Sequence, residues 1–493
     1  MFFPTFPHNW KFDGAFDWGT IWSIVSFVAF LLALLSTPSV LMNRRGRPQA
    51  ALAWVLVLVT IPLLGLFLWW AMGRTHLARK RKKKRRSAAK ISQRLNKLQR
   101  ASTSPMATNW ELVSLRRLPP DDAEWGFLPT KGNHVRLLED ADETYPEFER
   151  LIAGAREHVH LMFYIWRNDA VGIRFRDLLI EKAKAGVEVR VLLDAFGASK
   201  VTGRFMNALR EAGGEVRIFG PAVYLQRHLE FNFRNHRKLL IADGQHAVLG
   251  GLNIGKEYTA AWHDMALRLQ GPVIDQLQEV FVEDWAFAKG KDFVDKRHFD
   301  RWGEAQQLVG SPAVCAVVAS GPHSSLNLTH EAFFVAINRA EKRVWLTTPY
   351  FVPDSPILTS LRTAVFRGVD VRILVPESSD APLVTLASRS YYPDLLRFGV
   401  RIFEYAGTML HSKTAVLDDD LSFVGSANLD VRSFRLNFEL NCFVKSQPVC
   451  SELGRVFQQD LKNSREIMAA DLEKRGYFVQ LAESAAHLMS PLL

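Results

Sequence analysis

The chain has 493 residues, which is too many for one ordinary hydrophobic core and predicts more than one domain. A hydrophobic fraction of 48% with 23% charged residues excludes a largely disordered chain. The three cysteines, Cys315, Cys442 and Cys450, form neither a disulfide framework nor a paired zinc pattern, and they indicate a reducing compartment.

The formal net charge of +11 is concentrated in one short segment. Residues 79–86 are eight consecutive Lys or Arg, so the rest of the chain carries only 11 minus 8, or +3. Nucleic-acid binding depends on basic residues spread over the folded surface that meets the phosphates. The charge pattern therefore argues against nucleic acid as a partner.

Two apolar segments follow a short N-terminal segment, residues 1–17. Residues 18–43 and 48–73 each contain 26 residues without an ionisable side chain. A helix of about 20 apolar residues crosses the hydrocarbon layer of a bilayer. We expect a membrane-embedded hairpin of two helices. A cleaved signal peptide is the alternative for the first segment, and it is disfavoured because a second apolar segment and a basic run follow.

The basic residues around these segments predict an orientation. Three arginines lie in the loop between them, and more basic residues follow in the juxtamembrane segment 74–100. Because the more basic side of a span stays in the cytoplasm, both termini and the catalytic domains are expected there. The basic run could also attract anionic headgroups at about 1 kcal/mol per charge, although a stop-transfer role explains it equally well.

The remainder of the chain reads as a linker followed by an α/β region. Residues 101–130 are irregular and rich in turn-forming residues. Beyond them, β-rich runs alternate with helix-like stretches, which predicts an α/β fold with a mostly parallel or mixed sheet flanked by helices. Residues 186–193 recur in closely similar form at 368–375. This duplication predicts two related domains, at 131–305 and 306–493.

Each repeat ends in the same polar pattern with the same spacing. The first copy is His236, Lys238, Asp243 and Asn253, and the second copy is His411, Lys413, Asp418 and Asn428. A carboxylate follows each histidine 28 residues later, at Asp264 and Glu439. Residues two apart on a strand share a face, so the His and Lys of each pair point the same way. If the repeats pack about a pseudo-twofold axis, six polar groups converge on one site.

That set of groups suits phosphodiester transfer. Two lysines and two carboxamides can stabilise the charge on the non-bridging phosphate oxygens without a metal. One histidine can attack phosphorus and form a phosphohistidine, while the other protonates the departing alcohol and deprotonates the incoming one. Asp264 and Glu439 can each accept a ring N–H and fix the tautomer. A metal ion is disfavoured because each histidine has a cationic lysine beside it.

Some polar residues have a simpler interpretation. Asp243 and Asp418 lie at strand ends before turns, where a structural role is the favoured one. Other histidines, such as His228 and His263, are expected to be surface or packing residues. The C-terminal stretch from Asp471 to Leu493 either lies on a membrane or packs on the second domain, and packing is the expectation.

The pattern His-x-Lys-x4-Asp-x6-Gly-Gly/Ser-x-Asn occurs twice, and in this the chain resembles the phospholipase D superfamily. Over its whole length it is similar to the membrane-anchored cardiolipin synthases of bacteria, with further likeness at 235–238, 263–271, 348–353 and 490–493. The resemblance implies a multi-pass protein of the bacterial inner membrane that converts two phosphatidylglycerol molecules to cardiolipin and glycerol, with no cofactor. It also implies that His236 is the nucleophile and His411 the acid/base, with both lysines, both Asn residues, Asp243 and Asp418 in the motif.

Three alternatives remain open at this point. A membrane-bound phospholipase D or transphosphatidylase of other headgroup specificity would use the same residues. A nuclease is weaker because the charge outside the basic run is low. A protein that only binds lipid would need no pair of imidazoles placed for proton transfer. The sequence leaves the oligomeric state unknown, and it does not distinguish the two histidines by spacing alone.

Overall fold

The computed structural model describes residues 18–44, 48–70, 91, 127–201, 203–220, 234–259, 262–288, 293–304, 307–322 and 327–490. The chain divides into two units, one of residues 1–80 and 223–231, the other of residues 81–222 and 232–493. The basic run 79–86 lies outside the described residues, as do all but Ile91 of the juxtamembrane segment and the predicted linker as far as residue 126.

The smaller unit is built from apolar helices. They are α1 (Trp18–Asn43), α2 (Pro48–Thr60) and α3 (Pro62–Leu68). Ile61 separates α2 from α3 with φ −134° and ψ 72°, because the proline that follows disfavours the helical conformation at Ile61. Within the described residues, α1 is the one helix long and apolar enough to span a membrane. The prediction of a second continuous span over residues 48–73 is therefore not supported.

The larger unit contains one long sheet with helices on both faces. The strands of the larger unit in the first repeat are β1 (Thr130–Glu139), β2 (His158–Phe163), β3 (Glu188–Asp194), β4 (Glu215–Phe219), β5 (Leu239–Ala242), β6 (His246–Gly250), β7 (Trp262–His263) and β8 (Met265–Gln270). Those in the second are β9 (Ser311–Ser320), β10 (Arg343–Thr347), β11 (Phe351–Val352), β12 (Asp370–Pro376), β13 (Arg401–Tyr405), β14 (Met409–Leu410), β15 (Thr414–Leu417), β16 (Leu421–Gly425), β17 (Leu429–Asp430), β18 (Glu439–Lys445) and β19 (Ser464–Ile467).

Helices connect these strands in both repeats. They are α4 (Asp140–Gly154), α5 (Ala170–Lys184), α6 (Arg204–Glu211), α7 (Val273–Phe287), α8 (Leu328–Arg339), α9 (Ser355–Phe366), α10 (Pro382–Arg389), α11 (Tyr392–Arg397), α12 (Val431–Arg435), α13 (Gln447–Lys462), α14 (Ala469–Glu473) and α15 (Tyr477–Leu488). The alternation of strands and helices confirms the predicted α/β class.

Fifteen strands form the main sheet, in the order β19-β13-β12-β10-β15-β16-β18-β9-β1-β8-β6-β5-β2-β3-β4. Counted outward from the central pair, the order is β9-β18-β16-β15-β10-β12-β13 on one side and β1-β8-β6-β5-β2-β3-β4 on the other. Each of these strands has its counterpart from the other repeat, so a pseudo-twofold axis passes through the β9–β1 pair. Both repeats therefore belong to one continuous sheet, and the boundary predicted between residues 305 and 306 falls just before β9. That boundary stays a prediction.

The sheet is mixed, and only its wings are parallel. Parallel pairing is confined to β2-β3-β4 and β10-β12-β13, while the other ladders of the sheet are antiparallel. A mixed sheet is one of the two forms that the sequence predicted. Antiparallel pairing follows from chain connectivity, because β5 and β6 are joined by three residues and a parallel pair needs a long crossover.

Apolar side chains on the sheet form one core shared by the two repeats and one core specific to each. The shared core includes Leu249 and Leu267 from the first repeat and Val424 and Cys442 from the second. All three cysteines are buried free thiols. A continuous apolar layer across β1 and β9 holds the two repeats in a fixed relation, which positions the polar groups above it.

The C-terminal helix α15 packs on α10 of the second repeat, as expected from the sequence. Ser390 Oγ lies 2.9 Å from His487 Nδ1, and the Tyr391 hydroxyl donates to Ser490 Oγ at 3.2 Å. The last three residues of the expected segment, 491–493, lie outside the described residues.

Arg237 ties the two repeats together below the motif histidines. Its side chain, 2% exposed, donates to Asp284 Oδ2 at 2.6 Å within its own repeat. It also donates to the backbone oxygens of Ser320, at 3.0 Å, and Glu439, at 3.1 Å, in the other repeat. A buried guanidinium with three acceptors is satisfied on all sides, so it stabilises this junction.

We expect Arg237→Ala to lower the free energy of unfolding by about 3–5 kcal/mol, because it leaves the Asp284 carboxylate buried without its cation. Chemical denaturation of the detergent-solubilised full chain measures the change. Arg217→Ala removes an arginine whose side chain is 43% exposed and is the matched control, expected within about 0.5 kcal/mol of the wild type. Equal stability of the two variants would contradict the role of Arg237.

Candidate active site

The pseudo-twofold axis brings the two polar patterns together. His236 and His411 precede β5 and β15, two strands that occupy corresponding positions in the sheet. The backbone N–H of His236 donates to Phe438 O at 2.9 Å, and that of His411 donates to His263 O at 2.7 Å. Each histidine is thus held by a segment of the opposite repeat.

The carboxylates are exchanged between the repeats. His236 Nδ1 lies 3.1 Å from Glu439 Oε2, and His411 Nδ1 lies 2.6 Å from Asp264 Oδ2. Because an ionised carboxylate can only accept, Nδ1 carries the proton in both rings and Nε2 holds the free lone pair. Glu439 and Asp264 are 0% and 1% exposed. The two imidazoles therefore present the same tautomer.

Burial keeps both imidazoles neutral. Desolvation, reinforced by Lys413, lowers the pKa of His411 to about 3, and desolvation with Lys238 lowers the pKa of His236. Burial opposes ionisation of Asp264, but Lys413, His411 and the backbone N–H of Met265 together outweigh it and hold the pKa of that carboxyl below its usual range. A neutral ring with an ionised partner is the form in which an imidazole nitrogen can act as nucleophile or base.

The two lysines form the cationic part of the site. Lys238 Nζ donates to His236 O at 2.6 Å, and Lys413 Nζ donates to His411 O. Burial lowers the pKa of the Lys238 ammonium to about 7 and that of Lys413 to about 8. Both ammonium groups are buried, and neither forms an ion pair with a carboxylate of the described residues, so an anionic ligand would satisfy them.

The two asparagines are buried and differently bonded. Asn253 Oδ1 accepts the backbone N–H of Ile165 at 3.0 Å, while its amide nitrogen has a long contact of 3.5 Å to the Tyr258 hydroxyl. The amide nitrogen of Asn428 donates to Asp430 Oδ2 at 3.3 Å, and its Oδ1 is buried without a partner. The motif amides are thus incompletely satisfied in the free protein, as expected of groups that contact a ligand.

Asp243 and Asp418 lie at the opposite ends of β5 and β15 from the lysines. The Asp243 carboxylate accepts the backbone N–H groups of residues 156, 157 and 158 at 2.8, 2.9 and 2.9 Å. Asp418 does the same for residues 341, 342 and 343 at 3.0, 2.7 and 3.2 Å. Both residues have positive φ, 54° and 53°, a conformation that Asp tolerates in turns. These contacts anchor the start of β2 and β10, which supports the structural role favoured for Asp243 and Asp418. A part in catalysis for either aspartate stays a prediction.

His263 is not the surface or packing residue that the sequence suggested. Its Nδ1 donates to Asp140 Oδ1 at 2.8 Å and its Nε2 to Asp460 Oδ2 at 3.2 Å. Burial disfavours the charged ring, but the two carboxylates outweigh burial and raise the pKa of His263 to about 11. Asp140 Oδ1 also accepts the backbone N–H of Asp264 at 2.8 Å, so this network holds the partner of His411. His228 lies outside the described residues.

Aromatic rings form the walls beside the imidazoles. Tyr164 lies 5.1 Å from His236, and Trp262 lies 4.6 Å from His411, both measured between ring centroids and both edge-on. Neither residue carries a motif signal in the sequence. Near the carboxylates, a Cβ at Gly251 would collide with Asp264, which explains glycine at that motif position. The corresponding Ser426 donates its hydroxyl to Glu439 instead.

Two His/carboxylate clusters among the described residues are compact enough to hold a metal ion, and both lie outside the two motifs. In the first, of His160, Glu188 and His298, the carboxylate already pairs with Arg190 and Arg297. The second contains His263, whose raised pKa keeps it protonated. Neither donor set suits a divalent cation, because a ligand must offer a free lone pair.

Comparisons with known proteins agree with this geometry. A family model described as "Cardiolipin synthase, PLD-like domain" matches residues 148–285 and 333–461, one segment in each repeat. The chain is 34% identical to cardiolipin synthase 1 of Bacillus cereus, covering 96% of this chain and 94% of that protein. It is also 34% identical to the major cardiolipin synthase ClsA of Bacillus subtilis, over 96% of this chain and 100% of that one.

A solved structure shows a similar fold. The phosphatidylserine synthase of Haemophilus influenzae Rd KW20 superposes with a TM-score of 0.57 at 15% identity, over 73% of this chain and 95% of that chain. At this identity the likeness concerns the fold alone. It confirms the duplicated phospholipase D-like architecture that the sequence predicted.

The low pKa values of the lysines predict a pH dependence of substrate binding. As the pH rises through about 7 and 8, Lys238 and Lys413 lose their protons in the free protein and attraction for a phosphodiester falls. We expect KM for an anionic lipid to rise at least about tenfold between about pH 6 and 9, with a smaller change in kcat, because a bound phosphate restores the charges. Initial rates in mixed micelles measure this. A KM independent of pH would contradict the prediction.

Asp243→Ala tests the structural interpretation of that residue. Loss of three charge-assisted hydrogen bonds should lower the free energy of unfolding by about 2–4 kcal/mol, while kcat per folded molecule stays within about threefold of the wild type. Thermal unfolding and active-site-normalised rates measure the two quantities. Asp177→Ala, at an exposed carboxylate, is the control. A stable but inactive Asp243→Ala protein would restore Asp243 to the catalytic residues.

Proposed function

The chain belongs to the cardiolipin synthases of the phospholipase D superfamily, and we propose that His236 and His411 carry its phosphatidyl transfer between two phosphatidylglycerol molecules. It is a phosphatidyltransferase, and its substrates are phospholipids. The exchanged His–carboxylate pairs are the observation that supports this assignment of roles. They give two neutral imidazoles with free Nε2 atoms beside two buried ammonium groups.

In the first step, His236 Nε2 attacks the phosphorus of the donor lipid. A P–N bond forms, the P–O bond to glycerol breaks, and His411 gives its proton to the departing oxygen. His411 must be protonated for this, whereas burial lowers its pKa to about 3 in the free protein. The negative phosphodiester that enters the site raises the pKa of the ring, because an adjacent anion favours the imidazolium.

In the second step, a glycerol hydroxyl of the acceptor lipid attacks the phosphohistidine. His411 Nε2 takes the proton of that hydroxyl, a new P–O bond forms, and the P–N bond to His236 breaks. The products are cardiolipin and the free imidazole of His236, so each group returns to its starting state. Glu439 and Asp264 hold the rings in register through both steps without changing charge.

The non-bridging phosphate oxygens are assigned to Lys238, Lys413, Asn253 and Asn428. The lysines are buried and form no ion pair with the described carboxylates, and the asparagine amides are incompletely bonded. Fixed donors in a buried site stabilise the charge that builds up on the oxygens at the transition state. This arrangement predicts activity without an added divalent cation.

We further propose that α1 anchors the protein in the bacterial inner membrane, with the larger unit on the cytoplasmic side. The helix Trp18–Asn43 is 26 residues long with mean hydropathy 2.3 in its most apolar window. An anchored enzyme meets its lipid substrates at high local concentration, since these lipids leave a bilayer at high cost. Protease protection in sealed inside-out vesicles tests this orientation, and a protected larger unit would contradict it.

Replacement of each histidine tests the catalytic roles. We expect His236→Ala to abolish cardiolipin formation and to remove any acid-labile phosphoprotein, because no nucleophile remains. His411→Ala should lower the rate by about 10²–10⁴-fold, the usual contribution of acid–base catalysis. His134→Ala, outside the site, is the matched control. Mass spectrometry of the lipid products from phosphatidylglycerol in micelles, with and without EDTA, gives the readout.

The same experiment separates the alternatives. Phosphatidic acid as the main product of the wild type would make the protein a phospholipase and refute the transferase assignment. Full activity of His236→Ala would refute the role of that residue. Loss of activity in EDTA, with recovery on adding Mg²⁺, would refute the metal-free phosphate site.

A further inference from the structure

A cavity of about 310 Å³ lies beside the His411 half of the site. Its lining consists of Trp262 and of residues 377–380 and 405–409. Trp262 forms a wall shared with the active site, since its ring centroid lies 4.6 Å from that of His411. Met409 begins β14, the strand that leads directly into His411 and pairs with β7. The cavity is therefore built from the elements that position His411.

A hydrogen bond connects the cavity to Tyr350. Asp380 Oδ1 accepts the hydroxyl of Tyr350 at 2.6 Å. Burial raises the pKa of Tyr350, and among the anions that add to this effect are Asp380 and Asp430. Asp430 in turn accepts the amide of Asn428 at 3.3 Å. Asp430 therefore lies near enough to influence Tyr350 beside the cavity, and it also contacts the amide of Asn428 in the second motif.

The charge of the cavity is opposite to that of the phosphate site. The described residues of its lining include two exposed carboxylates, Glu377 and Asp380, and no lysine or arginine. The two regions adjoin, because Asp380 is near enough to favour the charged form of Lys413. Burial has the larger, opposite effect and lowers the pKa of that lysine to about 8. A phosphate would be attracted to the lysines and repelled from the cavity. The cavity suits the uncharged part of the substrate.

The remaining lining suits an alcohol with several hydroxyls. Ser378, Ser379 and Thr408 offer hydroxyl groups, and the carboxylates accept strong hydrogen bonds from ligand O–H groups. Trp262 and Met409 offer apolar surface for the C–H edges of the same ligand. Small-molecule sites commonly combine such apolar walls with a few convergent polar groups.

We propose that this cavity binds the glycerol headgroup, first as the alcohol that leaves the donor lipid and then as the headgroup of the acceptor lipid, with Asp380 and Glu377 as its specificity residues. The proposal rests on the proposed function, in which His411 serves both alcohols. Because one imidazole protonates the leaving oxygen and deprotonates the incoming one, both alcohols must occupy the same side of phosphorus. The cavity lies on that side.

The reverse reaction tests the cavity with a soluble acceptor. Cardiolipin is the donor, phosphatidylglycerol departs to leave phosphatidyl-His236, and free glycerol then attacks phosphorus and gives its proton to His411. Each cardiolipin and glycerol thus yield two phosphatidylglycerol molecules. We expect Asp380→Asn and Glu377→Gln each to raise KM for glycerol about tenfold. At a fixed glycerol concentration, the ratio of glycerol transfer to hydrolysis should fall about tenfold, because both products form from the same phosphatidyl-His236 and water does not need the cavity.

Asp394→Asn is the matched control, since Asp394 is an exposed carboxylate on α11 outside the cavity. A second measurement uses glycerol phosphate as acceptor. The wild type should use this anion poorly, and the Asp380→Asn/Glu377→Gln double variant should use it better relative to glycerol. This gain cannot arise from a misfolded protein.

An unchanged KM for glycerol in the double variant would overturn the proposal. So would an equal change in glycerol transfer and in hydrolysis, which would mean that the carboxylates act on the whole site and bind no headgroup. A failure of the proposed function is distinct from both results, because the wild type would then form no phosphatidylglycerol beyond the one molecule released with each phosphatidic acid, at any glycerol concentration.

Discussion

The exchange of carboxylates between the two repeats is the constraint on which the site depends. Glu439 of the second repeat orients His236 of the first, and Asp264 of the first orients His411 of the second. Neither repeat can therefore build a complete catalytic histidine alone. The β1–β9 pairing and the apolar core beneath it fix the distance between the repeats. The packing of the sheet therefore also aligns the two imidazoles. Arg237 adds a second connection at the same junction.

Burial gives the site its electrostatic character. Two ammonium groups with lowered pKa values are held in place without an anion, which is unfavourable in the free protein and favourable once a phosphodiester enters. The same burial keeps the imidazoles neutral until that anion arrives. In the proposed mechanism, the negative charge of the bound phosphodiester raises the pKa of His411. The substrate thereby favours the protonated His411 that its own transfer requires.

The sequence predicted the fold class, the duplication and the convergence of the motif residues, because strand periodicity and fixed spacing place side chains locally. It did not predict which carboxylate serves which histidine, since Asp264 and Glu439 each follow their own histidine by 28 residues and only the strand order reveals the exchange. Trp262, Asp140 and Arg237 carry no spacing signal, and their roles depend on contacts across the sheet. The second apolar segment is continuous in composition, but its helix is interrupted before Pro62. Proline causes the interruption because it has no backbone N–H to donate.

The duplication is broken where the two histidines must differ. Each repeat has a buried aspartate on the helix behind its motif, but the two aspartates have different partners. Asp284 is neutralised by Arg237, the residue between the motif His and Lys. Asp460 is neutralised by protonated His263. The residue that corresponds to Arg237 is Ser412, which only donates to a backbone oxygen. His236 shares its ring N–H between Glu439 and Ser426 O at 3.1 Å each, whereas His411 has a single contact of 2.6 Å to Asp264. The short hydrogen bond to Asp264 does not outweigh burial and Lys413, which lower the pKa of His411 to about 3, so the proposed acid role of His411 depends on the charge of a bound phosphodiester.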